Sequence, residues 1–470
     1  MSVQRLLGVP HFTSRLDLDV PKSHLWSWHE RPGAFERLSP PWQRVEVVKR
    51  TNGIGEGERL VMKLGRKPFR ITWEALHGPM VRGVSFEDTQ VRGPFRKWHH
   101  VHRFEGSTPS TLIDDVEWDA PLGWLGRFFA GWMIKREIKR LFRFRHARTK
   151  LDLERQTWTP PMQSDRETTP DRPLKIAITG ASGMVGEALV AYLTTAGHEV
   201  SRFVRRAARD PGEIVWDPVR NVLDPEHLEG LDAIVHLAGD SIAEGRWTPL
   251  KKALIRDSRV LGTKTLVDAL AQVKSRPAVL VSASAVGFYG NNEEPHDEAD
   301  GAGDDFLASV CSDWETEARR AEVLGIRVVR ARLGIVLDPR GGVLGKLVGP
   351  FKAGLGGKVG NGRQWMSWVA LDDVVHAIDF AIRNAAVTGP VNVVSPNPLT
   401  QSEFAKVLGR VLSRPSFVPL PSFAVKALFG EMGESLLLGG QRVIPGALEK
   451  SGFRFGYENL EDALRLMLGR

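Results

Sequence analysis

A chain of 470 residues, 42% apolar and 26% charged, is long enough for two or three separate cores, and this composition excludes disorder and collagen-like repeats. The formal charge of +8 is uneven: the basic excess lies in the N-terminal third, much of it in KREIKRLFRFRHARTK (135–150). That run reads as one solvated helix face, so no nucleic-acid partner is expected.

From the start, MSVQRLLGVPHFTSR lacks the uninterrupted apolar stretch of a signal peptide. The most membrane-like segment, 122–134, is cut by Arg127 and falls short of the ~20 apolar residues a span requires. A cytoplasmic location without stable membrane insertion is therefore expected. After a short helix near 22–29, strand-like alternation recurs in FTSRLDLDV, QRVEVVK, RLVMKLG, FRITWEAL, WHHVHRF and STLIDDVEW. A long amphipathic helix beginning near Gly123 closes this region. The layout predicts an α+β domain in which the helix covers a curved antiparallel sheet and encloses an apolar cavity. Within WHHVHRF, His100 and His102 share one strand face and His99 points to the other. The pair suggests a metal, but no third ligand is evident, so the histidines are read as structural or cavity-lining and no metal is expected.

Residues 155–173, rich in Pro, Thr, Asp and Ser, read as a linker. Thereafter strands alternate with helices: LKIAITG and HEVSRFVRR flank a helix, and EIVWD, LDAIVHLAG, PAVLVSAS and IRVVRARLGIVL are each preceded by a connection or helix long enough to cross over. This pattern predicts an α/β Rossmann fold with a doubly wound parallel sheet. The domain boundaries expected are 1–154, a linker at 155–173, a nucleotide-binding domain at 174–395 and a C-terminal part at 396–470.

Between the first parallel strand and its helix lies Gly180-Ala-Ser-Gly183-Met-Val-Gly186. Glycines there permit a tight turn and close backbone approach, while the amides of Ser182, Met184 and Val185 at the helix N-terminus attract a pyrophosphate. The second strand ends in Arg205-Arg206 rather than the acidic residue that would hold a ribose diol, so NADP(H) is favoured over NAD(H). Asp217 is placed near the adenine, and Leu237, Ala238, Gly239 and Ser282 at the edge bordering the cofactor.

Three resemblances follow. HERPGAFERLSPPW and FEDTQVRGPFRKWHHVHRF resemble the START-like, polyketide-cyclase-type domain, which implies a hydrophobic ligand held by shape. PAVLVSASAVGFYG resembles the serine-bearing strand of extended short-chain dehydrogenase/reductases, which implies that Ser284 holds a substrate oxygen. That family's Tyr and Lys, four residues apart, are missing: Phe306 and Val310 stand in their places, and Arg259 replaces an asparagine. The segments AGDSIAEGRWTPLKKALIRDSRVLGTKTLVDAL, FLASVCSDWETEA, GNGRQWMSWVALDDVV and VNVVSPNPLTQSEFAKVLG are similar to the atypical extended group labelled nucleoside-diphosphate-sugar epimerase-like. The resemblance implies an NADP(H)-dependent epimerase or oxidoreductase with a small-molecule substrate, and through it alone 396–470 is read as a small substrate-side domain. Ser284 and Tyr289 are then the catalytic candidates, and Arg246, Trp247, Gln364 and Trp365 line the substrate pocket. Its alternative is a non-catalytic NADP(H) sensor coupled to the START-like domain. Cys311, the single cysteine, excludes an intrachain disulfide and reads as a buried residue. Neither the substrate nor the oligomeric state is specified.

Overall fold

The computed structural model describes residues 10–51, 53–158 and 172–470. The chain divides into two compact units, one formed mainly by residues up to Trp158 and the other by most of the remainder.

In the first unit, seven strands form one antiparallel sheet in the order β1-β7-β6-β5-β4-β3-β2. They are β1 (His11–Leu18), β2 (Val45–Arg50), β3 (Arg59–Leu64), β4 (Ile71–Val81), β5 (Ser85–Arg92), β6 (Lys97–Gly106) and β7 (Ser110–Asp119). Two helices, α1 (Lys22–Glu30) and α2 (Ala34–Leu38), follow β1, and the long α3 (Trp124–Trp158) follows β7. Six of these strands coincide with alternating runs in the sequence; β5 does not. Its inward positions are Phe86 and Asp88, so a carboxylate stands where alternation would place an apolar residue. The last turn of α3 includes residues 155–158, which the sequence pattern assigned to the linker; residues 159–171 of that linker lie outside the described residues.

One apolar cluster of this unit gathers Leu25, Trp26, Trp28, Phe86, Phe104 and Leu153, and another gathers Trp98, Val116, Trp118, Ile138 and Phe142. The interior is not wholly apolar. Arg37 donates two hydrogen bonds to Asp152, at 2.8 and 2.5 Å, with both side chains buried. His100 lies edge-on to Phe142 of one cluster, and His102 stacks on Phe86 of the other, with ring centroids 4.1 Å apart.

The second unit is built on an eight-stranded sheet. In chain order its strands are β8 (Lys175–Thr179), β9 (Glu199–Val204), β10 (Glu213–Asp217), β11 (Val222–Leu223), β12 (Ala233–His236) and β13 (Val279–Ala285), then Arg327–Leu333 and Gly389–Val393. The spatial order runs β11-β10-β9-β8-β12-β13 and then those last two strands, with only β11 antiparallel. The order reverses between β8 and β12, which is where a doubly wound sheet opens a crevice beyond its carboxyl ends. The helices used below are α4 (Met184–Thr195), α5 (Pro249–Leu270) and α6 (Phe306–Arg319). The C-terminal segment joins the same compact unit. Its helix Gln401–Leu412 starts at a capping box in which Thr400 and Glu403 satisfy each other's backbone amides. No helix among the described residues is long and apolar enough to cross a membrane.

Candidate functional site

The crevice begins at the turn between β8 and α4. Gly180 has a φ of +67°, and a Cβ there would meet the Leu237 carbonyl carbon at 2.8 Å, because the loop after β12 presses against the turn. A Cβ on Gly186 would lie 2.2 Å from the Gly180 carbonyl oxygen. Both glycines are therefore required by packing within the protein. Gly183 differs: its Cβ would meet only the Gly180 carbonyl oxygen, at 3.3 Å. The fold constrains this glycine less than the other two, since the Gly180 carbonyl would have to give by only a few tenths of an ångström. At the first turn of α4 the amides of Ser182, Met184, Val185 and Gly186 precede the first intrahelical acceptors and offer an anion their hydrogens.

Thr179 ties the two loops of the crevice. Its hydroxyl accepts the amides of Leu237 (3.0 Å) and Ala238 (3.1 Å) and lies 2.8 Å from His236 Nδ1. Thr263 donates its proton to the Arg259 carbonyl, so His236 Nε2, 3.1 Å away, is the donor to Thr263 and Nδ1 accepts from Thr179. Burial lowers the His236 pKa to about 4, fixing it as a neutral, packed residue. Gly239 follows in this loop, with the Arg259 guanidinium 3.1 Å from where its Cβ would lie.

The two arginines after β9 part company. Arg206 donates to Glu213 at 2.7 Å and draws that carboxyl down to about 2. Arg205 is exposed and makes no ion pair with the described residues. Asp217 ends β10, its carboxylate accepting the amides of Val219 and Arg220.

Ser282 and Ser284 lie buried near the carboxyl end of β13. Ser284 donates to Glu315 at 2.7 Å, and Arg332 holds Glu315 with two hydrogen bonds of 2.8 and 3.0 Å. Arg332 also donates to the Tyr289 hydroxyl at 2.9 Å, and that hydroxyl donates to Asn392 at 2.7 Å. The two sequence-chosen candidates, Ser284 and Tyr289, thus belong to one buried network. Burial raises the Tyr289 pKa to about 12 despite the opposing effect of Arg332, so its phenol stays protonated, enclosed rather than free to reach the cleft. Sequence reasoning missed Glu315 and Arg332. The available signal was an arginine interrupting the apolar strand IRVVRARL.

Phe306 stands under Lys252, whose Nζ is 4.6 Å from the ring centroid, and packs edge-on against Trp247. Trp247 itself is buried among Ile255, Val310 and Met432, so it is packed core rather than open pocket lining. Arg246 donates to the carbonyls of Ala427 and Leu428, and Gln364 to those of Val359 and Leu437. Trp365 lies beneath Arg442 at 4.6 Å. These four residues consequently meet the C-terminal segment on that side of the unit.

Comparison with known proteins agrees with this architecture. Residues 176–394 match the NAD dependent epimerase/dehydratase family, 420–467 a domain of unknown function, and 18–142 the polyketide cyclase/dehydrase and lipid transport family. An epimerase family protein of Mycobacterium tuberculosis is 47% identical over 290 residues, which cover 62% of this chain and 96% of that protein. The crystal structure of the nucleoside-diphosphate sugar epimerase from Corynebacterium glutamicum superposes with a TM-score of 0.78 at 33% identity, covering 97% of this chain and 90% of that one. Human SDR39U1 (isoform 2), crystallised with NADPH, superposes with a TM-score of 0.58 at 32% identity over 63% of this chain and 99% of its own.

Proposed function

The chain belongs to the epimerase family that includes these mycobacterial and human proteins, and on that premise we propose that it binds NADP(H) and acts on a small-molecule substrate as an oxidoreductase or epimerase. The observation that carries the reading is Gly183, where a Cβ would meet one backbone atom alone, at 3.3 Å, against the 2.2 to 2.8 Å approaches at Gly186 and Gly180. In this reading Gly180, Gly183, Gly186 and the amides of Ser182, Met184 and Val185 hold the pyrophosphate, and Arg205 takes the 2′-phosphate. Asp217 lies on the adenine side, and Leu237, Ala238, Gly239 and Ser282 border the nicotinamide half. The bound nicotinamide supplies hydride transfer.

Ser284 is the residue we assign to the substrate oxygen. Its proton is committed to Glu315, so its remaining lone pair suits a substrate hydroxyl that donates. Tyr289, fixed by Arg332 and Asn392, serves as a positioning residue for this network.

Calorimetry on the full chain tests the cofactor reading. NADPH should bind more tightly than NADH, and Arg205→Asp should narrow that gap by about tenfold or more. Gly183→Ala should remain folded yet lose cofactor affinity. Equal affinity for both cofactors in the unaltered protein defeats the NADP(H) assignment. In a screen of aldehydes, quinones and nucleotide sugars, Ser284→Ala should lower kcat without weakening NADPH binding.

A further inference from the structure

The antiparallel sheet of the first unit brings together groups that lie far apart in sequence. Asp88 on β5 faces His100 on β6, and His102 on β6 faces Asp114 on β7, all on the inner side of the sheet. The facing nitrogens and oxygens are close. Asp88 Oδ2 lies 3.2 Å from His100 Nδ1 and 3.9 Å from His102 Nε2, and one ligand atom from each of the three residues falls within 4.8 Å of the other two. A tetrahedral ion with bonds of about 2.1 Å needs its ligands roughly 3.4 Å apart, so separations that reach at most 4.8 Å would have to change by no more than about 1.4 Å to close this set.

What separates this cluster from a chance ion pair is the far side of each imidazole. His100 Nε2 hydrogen-bonds Asp114 Oδ1 at 3.0 Å, and His102 Nδ1 lies 2.7 Å from the same oxygen, close to it but outside hydrogen-bond geometry. Each ring therefore turns one nitrogen toward Asp88 and the other toward a single buried carboxylate, the outer-carboxylate arrangement that orients metal-ligating histidines. Asp114 is further engaged by His146 of α3, at 2.5 Å from its other oxygen. Asp88 keeps more solvent access than the rest of the cluster, its side chain being 17% exposed against 2% and 9% for the two histidines. That side gives an ion a route in. His77, directly opposite Asp88 on β4, adds a buried Nδ1 without a hydrogen-bond partner.

We propose that Asp88, His100 and His102 bind a divalent first-row transition ion, with Asp114 as the outer carboxylate that aims both histidines. Two imidazoles and one carboxylate match the donor preferences of zinc, cobalt and ferrous ions rather than those of calcium or magnesium. Three protein ligands leave coordination positions for solvent or a ligand, as catalytic rather than closed structural zinc sites do. The sequence offered only the two histidines; the third ligand comes from the strand that alternation failed to reveal.

The test uses the tag-free full chain, stripped with chelator, titrated with Zn²⁺ and separately with Co²⁺, then dialysed and assayed by elemental analysis and visible absorption. One ion per chain and a cobalt d–d spectrum of nitrogen and oxygen ligation are expected. Asp88→Asn and His100→Gln should lose the ion. Asp114→Asn should weaken it by about 10- to 100-fold. His99→Ala must retain it, because His99 pairs with Glu87 on the opposite face of the strand. Failure of the unaltered chain to retain either ion overturns the proposal whatever the variants do. So does retention by folded Asp88→Asn and His100→Gln together, or loss in His99→Ala.

Discussion

At the switch point of the parallel sheet, the groups offered to a ligand are largely main-chain amides, whereas the inner face of the antiparallel sheet offers imidazoles and carboxylates. A site made of backbone needs bare positions more than particular side chains: Gly180 and Gly186 are bare because neighbouring backbone fills their Cβ positions, and Gly183 has a single backbone atom within 4 Å of its own. A site made of buried charges must pair every member, because an unpaired one carries its full desolvation cost. Asp114 meets three histidines for that reason. The same demand recurs at the carboxyl end of β13, where Glu315 meets Ser284 and Arg332.

The sharpest way to break this comparison is to remove one carboxylate from each unit. Asp152→Ala removes the carboxylate to which buried Arg37 donates, and Glu315→Ala removes the one to which buried Arg332 donates. Each should cost about 3 to 5 kcal/mol. Urea unfolding followed by near-UV circular dichroism should show Asp152→Ala acting on the first unit and Glu315→Ala on the second. A loss below about 1 kcal/mol in either variant would mean that water or the remaining contacts of the guanidinium replace the lost carboxylate.

A smaller effect belongs to pH. His236 is neutral and buried, with its pKa lowered from 6.5 to about 4 by desolvation. For a base whose folded pKa is depressed, stability is fully present above the unfolded value and declines as pH falls from about 6.5 toward 4. The loss is at most about 3 kcal/mol. Comparing unfolding free energies near pH 7 and pH 4 for the unaltered chain and His236→Gln isolates this contribution. The variant should show the shallower decline, and equal declines would relocate the proton uptake to other groups.

The contrast between backbone and side-chain sites also explains what could be read in advance. The glycine spacing, the arginine pair and the serine strand lie within single strand–turn–helix units, so their local order already places them. Strands β8, β12 and β13 were legible because burial on both faces gives continuous apolar runs, whereas β9 and β10 carry exposed positions and Gly389–Val393, also parallel, was not read as a strand. Strand β5 was hidden because Asp88 occupies an inward position. Glu315 and Arg332 were hidden because their pairing depends on α6 packing against a strand seventeen residues further along, which no local pattern encodes. The end of α3 was misjudged for a plainer reason: Arg155 to Trp158 carry no apolar periodicity of their own and remain helical as the last turn of a 35-residue helix.

The smallest expected effect concerns Cys311, whose thiol lies on α6 near Ser284. Burial raises its pKa to about 12, and Glu315 adds to that shift. At pH 8 the thiolate fraction is then about one in ten thousand, and the nucleophile in disulfide exchange is the thiolate. A disulfide reagent should leave the native chain unlabelled over hours and modify it fully once urea opens the second unit. Labelling should therefore follow the transition that Glu315→Ala shifts and ignore the one that Asp152→Ala shifts. Cys311→Ala should likewise leave NADPH affinity unchanged, since the thiol belongs to the packing beneath the serine strand. Rapid labelling of the native chain would place a reactive thiol beside Ser284 and overturn the reading of Cys311 as a packed residue.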